Sequence, residues 1–387
     1  MEKRGTSGYY ISKLRVDNWR NFTSAEVTLA RRVFLVGPNA SGKSNFLDIL
    51  RFLRDLVSVG GGFQEAVCRR GGVSRLRSLS ARRYSDIGLV VTVSNEDGTE
   101  SWCYTIRYNQ DNLRRPVLRE EHISHNGQVL LSRPDEDDNN DPERLTQTYL
   151  EQVNVNRPFR DLVDFFASIS YLHIVPQLIR EPDRSVGLQR DPYGGDFLEQ
   201  IARVPERTRQ ARLRRIRDAL RLAVPQLNEL QLYQDERGTP HLRSNYQHWR
   251  PHGAWLSEQD FSDGTLRLIG LLWAVQEGSG PLLLEEPELS LHPEVIRYVP
   301  QMFARVQRRT RRQIIVSTHS ADLLQDTGIG LDEVLLFFPQ DEGTVIRRAD
   351  EIEQAKTLLS QGASLSEVVI PMTKPEKAYH LGLFEGL

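Results

Sequence analysis

The chain has 387 residues, 39% of them hydrophobic and 26% charged, and a formal net charge of -2. This composition supplies enough apolar material for one large domain or two modest ones. No window approaches 18 uninterrupted apolar residues, which excludes a transmembrane helix. The stretch after Met1–Thr6 alternates instead of forming an apolar run, so no secretory signal is expected. Two cysteines, Cys68 and Cys103, stand in no metal-like spacing, which argues against a disulfide scaffold or a zinc site and fits a reducing cytoplasm.

Of the 50 basic residues, 44 are Arg and 6 are Lys. A GC-rich genome gives that bias as readily as selection for phosphate binding does, so local clusters carry more information than the total.

In chain order, Tyr9 to Leu29 alternates apolar and polar residues and reads as paired strands. The apolar run Val33–Val36 then meets a glycine-rich turn, and Asn45 to Val57 has helical periodicity. Ile87–Val93 and Trp102–Tyr108 are β-rich, joined by the turn Asn95-Glu96-Asp97-Gly98. The acidic run Asp135–Asp141 reads as an exposed or disordered loop. Arg157 to Leu230 is expected to be mainly helical, broken at Pro176, Pro182, Pro192 and Pro205, with a long amphipathic helix over Glu206 to Val224. Strand and helix alternate again from Leu282–Leu284 through a helix near Pro293 to Ile314–Val316 and Val334–Phe338, the pattern of a largely parallel sheet. There is no internal repeat, and no heptad run long enough for an extended coiled coil.

Gly37-Pro38-Asn39-Ala40-Ser41-Gly42-Lys43-Ser44, followed by Asn45, matches the phosphate-loop pattern G-x-x-x-x-G-K-[ST] at every position. Gly37 and Gly42 permit the backbone angles and close approach that let successive N–H groups wrap a phosphate chain. Lys43 is placed to meet the β and γ phosphates, Ser44 to ligate Mg²⁺, and the helix behind turns its positive end toward the anion. Downstream, the strand Leu282–Leu284 ends in Glu285 and Glu286. An acidic pair at a strand end is by itself usually just solvated. Behind a phosphate loop, Glu285 is expected on Mg²⁺ and Glu286 on the attacking water.

Ser262-Asp263-Gly264-Thr265, opening an apolar helix, resembles the signature motif of ABC-type ATPases; Leu289–Pro293 resembles their D-loop and Val316–Ser320 their switch-histidine motif. The start Ile11–Phe22 resembles RecF/SMC-type proteins, and Glu285-Glu286-Pro287-Glu288-Leu289-Ser290-Leu291-His292-Pro293 is similar to OLD-like ATPases of bacterial defence and repair. The motifs cover about half of the chain. One departure is Glu285, where many relatives carry Asp; the extra methylene shifts the metal-binding oxygen.

The resemblance implies an α/β fold, an ABC-type P-loop core with a β-rich N-terminal subdomain and an inserted mixed, mainly helical lobe. Expected divisions are 1–110, 111–250 (the insert), 251–350 and a tail at 351–387. The resemblance also implies ATP and Mg²⁺ bound between two copies. Ser262, Asp263 and Gly264 of one copy would face the phosphates held by Asn39–Asn45 of the other, Glu286 would activate water, and His319 would sense the γ-phosphate. The Q-loop residue, a further Mg²⁺ contact, is Gln177 or, nearer the loop, Gln64.

Only 68 residues follow His319, too few for the Toprim-like nuclease domain of OLD proteins. The lack of coiled-coil arms excludes an SMC, and the RecF-like start argues against a transporter ATPase. The arginine-rich helix (Arg207, Arg214, Arg217 and Arg221 among others) is the candidate nucleic-acid contact, or else a solvated face or one that meets an acidic protein. The expected function is a slowly hydrolysing ATP clamp that controls a separately encoded nuclease or toxin in antiphage defence. The alternatives are a RecF-like repair ATPase acting on DNA and a scaffold whose ATP is structural.

Overall fold

The computed structural model describes residues 8–81, 85–182, 191, 193–247 and 253–374; Met1–Thr6, Pro192 and positions 375–387, named above, lie outside these. The chain runs through β1 (Tyr10–Trp19), β2 (Phe22–Thr28), β3 (Arg32–Val36), α1 (Lys43–Val57), α2 (Phe63–Cys68), α3 (Val73–Leu76), β4 (Ile87–Ser94), β5 (Ser101–Gln110), β6 (Pro116–His125) and β7 (Gln128–Arg133). There follow α4 (Glu136–Asn140), α5 (Arg160–Ala167), β8 (Ser170–Leu172), α6 (Pro176–Ile179), α7 (Phe197–Arg203), α8 (Glu206–Ala223), β9 (Leu227–Gln234), β10 (Pro240–Tyr246) and β11 (Ala254–Ser257). The last part holds α9 (Asp263–Ala274), β12 (Leu282–Glu285), α10 (Pro293–Ile296), α11 (Val299–Thr310), β13 (Ile314–Thr318), β14 (Val334–Gln340), β15 (Gly343–Arg348), α12 (Glu353–Ser360) and α13 (Leu365–Met372).

Two six-stranded sheets sandwich α1. One is antiparallel, in the order β2-β1-β4-β5-β6-β7; the other has the order β15-β14-β3-β13-β12-β8. In the second sheet all neighbours are parallel except β14 and β15. The buried strands β3 and β13 are apolar along most of their length, as strands covered on both faces must be. Leu35, Leu283, Ile315 and Phe337 point toward α1, where Phe46, Ile49, Leu50 and Leu53 complete the core with Leu14 and Val16 of β1. The alternate residues Phe34, Leu284, Val316 and Leu336 face the other way and pack with α9, α11 and α13. One residue of register decides which of the two cores a side chain enters.

The alternating start, the helix behind the glycine turn, the hairpin and the C-terminal strand–helix alternation form as the sequence pattern indicates, and the parallel order follows from the crossovers. Two expectations are corrected. Asp135–Asp141 is not a structureless loop: Asp135 caps α4 in a capping box with Asp138. Asp138 is fully buried because Arg133, itself 0% exposed, bridges it at 2.8 Å and Glu121 at 2.9 Å, with the Tyr149 ring 3.9 Å from the guanidinium. Within the mixed middle of the chain, β8 joins the parallel sheet, and β9–β11 form a separate three-stranded sheet.

The second correction concerns boundaries. The hairpin of β5 and β6 spans residue 110, so the first sheet continues to Arg133. What stands apart from both sheets is α6–α8 with β9–β11, whose core of Ile179, Phe197, Ile216, Leu220 and Leu242 is shared with Leu266 and Ile269 of α9.

Candidate functional site

The carboxyl ends of β3, β13 and β12 lie side by side, with Val36 opposite Thr318 and Ser317 opposite Glu285. In open parallel sheets this edge is where ligands bind. The glycine-rich loop leaves β3 at Gly37, where a Cβ would come within 2.8 Å of Phe337 Cβ and of Ser41 Oγ. Gly42, at φ 102°, caps α1, and a Cβ there would collide with the Asn21 amide. Both glycines are thus required by the packing of the loop.

Asn21, in the turn between β1 and β2, secures the loop. Its Nδ2 donates to the Ser41 carbonyl at 3.0 Å and to Thr344 Oγ1 at 2.8 Å, and its Oδ1 accepts from Asn45 at 2.7 Å. Lys43 is buried, and its Nζ donates to the carbonyls of Gly37 (2.8 Å) and Pro38 (3.0 Å). Burial pushes this amine down to about 8, against the attraction of Glu286, Glu285 and Glu288.

The acidic strand end meets the loop directly. Ser44 Oγ donates to Glu285 Oε1 at 2.5 Å, and the Tyr171 hydroxyl, from the middle of β8, donates to Glu285 Oε2. Glu286 follows in a left-handed conformation, φ 44°, with its N–H held by the Ser317 carbonyl at 3.1 Å. A non-glycine residue there carries strain of about 1 kcal/mol, and the turn aims the carboxylate at His319. His319 Nε2 meets Glu286 Oε1, while Nδ1 lies 3.2 Å from the Gly37 carbonyl. The two ring nitrogens of His319 thus bridge the glycine-rich loop and the acidic strand end through the Nε2–Glu286 hydrogen bond. That hydrogen bond holds Glu286 below the usual carboxylate range.

The group that a polyphosphate with a divalent cation would require is therefore in place. Ser41 Oγ is buried with no hydrogen-bond partner among the described residues. Among the described residues Lys43 Nζ hydrogen-bonds only to loop carbonyls. Ser44 and Glu285 present hard oxygen donors side by side, the kind Mg²⁺ prefers. A cleft of about 670 Å³ opens from Ser44 and Glu285 along α1, past Asp48, Arg51 and His173.

Ser262 caps α9, its Oγ accepting from the Thr265 N–H at 3.2 Å, and is exposed. Asp263 pairs with Arg180 at 2.6 Å, and among the described residues no hydrogen bond or ion pair joins Ser262, Asp263 or Gly264 to the glycine-rich loop. Gln177 is corrected: it is exposed on α6 and does not line the cleft, whereas Tyr171 and His173 on the same stretch do. Gln64 is structural, donating to the carbonyls of Pro116 and Thr146. On α8, Arg207, Arg214 and Arg221 are exposed and Arg217 pairs with Asp218. Arg212 lies over the Trp273 ring and Arg209 caps α7, so part of the arginine count belongs to the fold. Sequence reasoning did not single out Asn21, Tyr171 or Arg180 for these roles; only the polar Asn21 beside the β1–β2 turn gives any local signal.

A parallel sheet whose glycine loop, acidic strand end and histidine strand end converge, with a serine-capped helix behind, is the fold of ABC-type ATPase heads of the RecF/SMC kind. The chain belongs to the family described as "AAA domain, putative AbiEii toxin, Type IV TA system", which matches residues 32–325. It is 33% identical over 110 residues to the DNA replication and repair protein RecF of Synechocystis sp., covering 28% of this chain. The chain thus aligns with 27% of that relative's length. Among solved structures, an Smc head bound to the C-winged helix domain of ScpA matches with a TM-score of 0.54 and 14% identity, over 87% of this chain and 97% of that one. The Smc head with an extended coiled coil, bound to the C-terminal domain of ScpA, from Pyrococcus furiosus, matches with a TM-score of 0.53 and 13% identity, over 91% and 99%. Among the described residues no helix is long and apolar enough to cross a membrane.

Proposed function

We propose that this chain binds and slowly hydrolyses ATP between two copies of itself, and that the nucleotide state of this clamp controls a separately encoded effector. The observation that carries the reading is the convergence of Lys43, Ser44–Glu285 and Glu286–His319 at one sheet edge. The loop N–H groups and Lys43 take the phosphates, and the anion adds the direct hydrogen-bonded countercharge that the buried amine does not get from the loop carbonyls. Ser44 and Glu285 would hold Mg²⁺, with Tyr171 orienting the carboxylate; the bound ion would offset charge on the β and γ phosphates.

Glu286 accepts a proton from the attacking water. Its hydrogen-bond partner His319 contacts the Gly37 carbonyl, so the switch residue reports on the loop that holds the phosphates. The exposed Ser262 and the start of α9 offer a hydroxyl, N–H groups and a helix dipole to the γ-phosphate held by the second copy. The family description names a toxin of a toxin–antitoxin system; antiphage defence is the setting we assign, with a separately encoded toxin or nuclease as the effector. The test is phosphate release from wild type, Lys43→Ala and Glu286→Gln. Slow turnover in the first and none in the others is expected. Wild-type rates in Glu286→Gln would overturn the mechanism, and stable ATP occupancy without turnover in wild type would favour a scaffold.

A second reading, direct action on DNA, is supported by Arg207, Arg214 and Arg221, exposed on α8 without an ion pair among the described residues, and by the RecF relative. It requires salt-dependent DNA binding that is lost when these arginines are neutralised.

A further inference from the structure

The segment Glu288–Pro293 joins the acidic strand end to α10, and its side chains tie two parts of the site that the chain order keeps apart. Glu288 is buried, 6% exposed. Its Oε1 accepts from the Thr318 hydroxyl and, at 3.3 Å, from the His319 N–H; Thr318 Oγ1 in turn accepts from the Ser320 N–H at 3.0 Å. The whole turn that carries the histidine is therefore fastened to one carboxyl group. Its other oxygen, Oε2, is buried with no hydrogen-bond partner among the described residues. Burial holds the acid above the usual carboxylate range, despite those two donors.

The same segment touches the signature helix. Ser290 stands in a left-handed conformation, φ 63°, and the Leu291 N–H returns to the Glu288 carbonyl at 3.0 Å. That turn presses the Ser290 carbonyl against Gly264 so closely that a Cβ on Gly264 would overlap it. Within one copy, then, a continuous contact runs from Gly264 through Ser290 and Glu288 to Thr318 and His319, and from His319 to Glu286.

We infer that Glu288 is a positioning residue that fastens the 288–293 turn to the histidine strand end, so that engagement of one copy's signature helix sets the placement of its own Glu286–His319 pair. The inference rests on the ATP-sandwich reading above. Given that reading, the α9 start of each copy meets the nucleotide of the other, and the contact through Glu288 makes the two hydrolysis sites report to each other. Glu288 touches neither phosphate nor water in this role. It acts as a packed strap with one acceptor oxygen and no need of charge.

The experiment is steady-state ATPase kinetics and nucleotide affinity on the full chain, for wild type, Glu288→Ala, Glu288→Gln and Thr318→Val. Expected for Glu288→Ala is a fall in kcat of at least tenfold with KM and ATP affinity within twofold, and a Hill coefficient that drops from above 1 to 1. Glu288→Gln, which keeps the acceptor oxygen, restores kcat to within threefold and restores the Hill coefficient. Thr318→Val, which removes the donor while leaving Glu288 in place, reproduces Glu288→Ala and decides the matter should Glu288→Ala fail to fold. A Thr318→Val or folded Glu288→Ala protein with wild-type kcat and Hill coefficient overturns the inference, as does a Glu288→Gln protein as impaired as the alanine variant. Failure of the underlying reading looks different: wild type itself shows no turnover, or Glu286→Gln hydrolyses ATP normally.

Discussion

Lys43 offers a test that needs no nucleotide. In the free protein its amine is buried and serves two carbonyls, and its proton is held less tightly, from 10.5 in the open chain to about 8. At about 1.4 kcal/mol per pH unit that gap is about 3 kcal/mol. Solvent at the mouth of the loop screens part of it, leaving about 2 kcal/mol. The sign follows from linkage. Below pH 8 the amine is protonated in both states and the native state carries the full cost. Between pH 8 and 10.5 the native state releases the proton while the unfolded chain keeps it, so stability rises with pH; above 10.5 the cost is gone.

Lys43→Met removes this contribution. The difference in unfolding free energy, wild type minus variant, read from urea titrations without nucleotide, should therefore rise by about 2 kcal/mol from pH 7.5 to pH 10.5. The two carbonyls that lose their donor shift the difference by a constant and leave its slope intact. A difference that stays flat across this range would refute the reasoning. The same pKa implies that triphosphate binding at pH 8 takes up about half a proton, seen as a dependence of calorimetric enthalpy on the buffer's ionisation heat.

Glu286→Gln should retain ATP binding and lose turnover by about 10²-fold or more, the usual worth of a general base, as read by phosphate release. Arg133→Met leaves Glu121 and Asp138 buried without their cation, and should cost about 3–5 kcal/mol in urea unfolding, against nearly nothing for Arg114→Met at an exposed turn. Burial raises the Glu151 carboxyl to about 7, although it accepts from the N–H groups of Phe63 and Thr148. The native state thus favours the protonated acid, and this stability is lost as pH rises from 4.5 to 7. Glu151→Gln should flatten that loss, with thermal midpoints at pH 5 and pH 8 closer together than in wild type.

Local pattern made much of this molecule legible. Gly37, Gly42 and Lys43 stand at fixed spacings because a loop that wraps phosphates is built from consecutive residues, and the apolar stripe of Phe46, Ile49, Leu50 and Leu53 is a single helix face. Glu285, Glu286 and His319 were readable because each ends an apolar strand, and parallel strands align their ends. What stayed hidden depends on partners distant in sequence. Asp138 counted as one more acid in an acidic run until Arg133 came to lie against it. The strand β8 is three half-buried residues without alternation, yet it delivers Tyr171 to Glu285. Gln177 satisfied the expected chain order but is exposed on α6 and does not line the cleft, because no local feature of the sequence fixes which way a four-residue helix faces.

The central claim is that nucleotide joins two copies of this chain. It is tested most directly by the solution mass of Glu286→Gln protein, measured by light scattering on a sizing column with and without Mg-ATP. The account predicts a mass near 44.4 kDa without nucleotide and twice that with it, the step being absent in a Lys43→Ala, Glu286→Gln double variant. An unchanged mass near 44.4 kDa in both samples would contradict it.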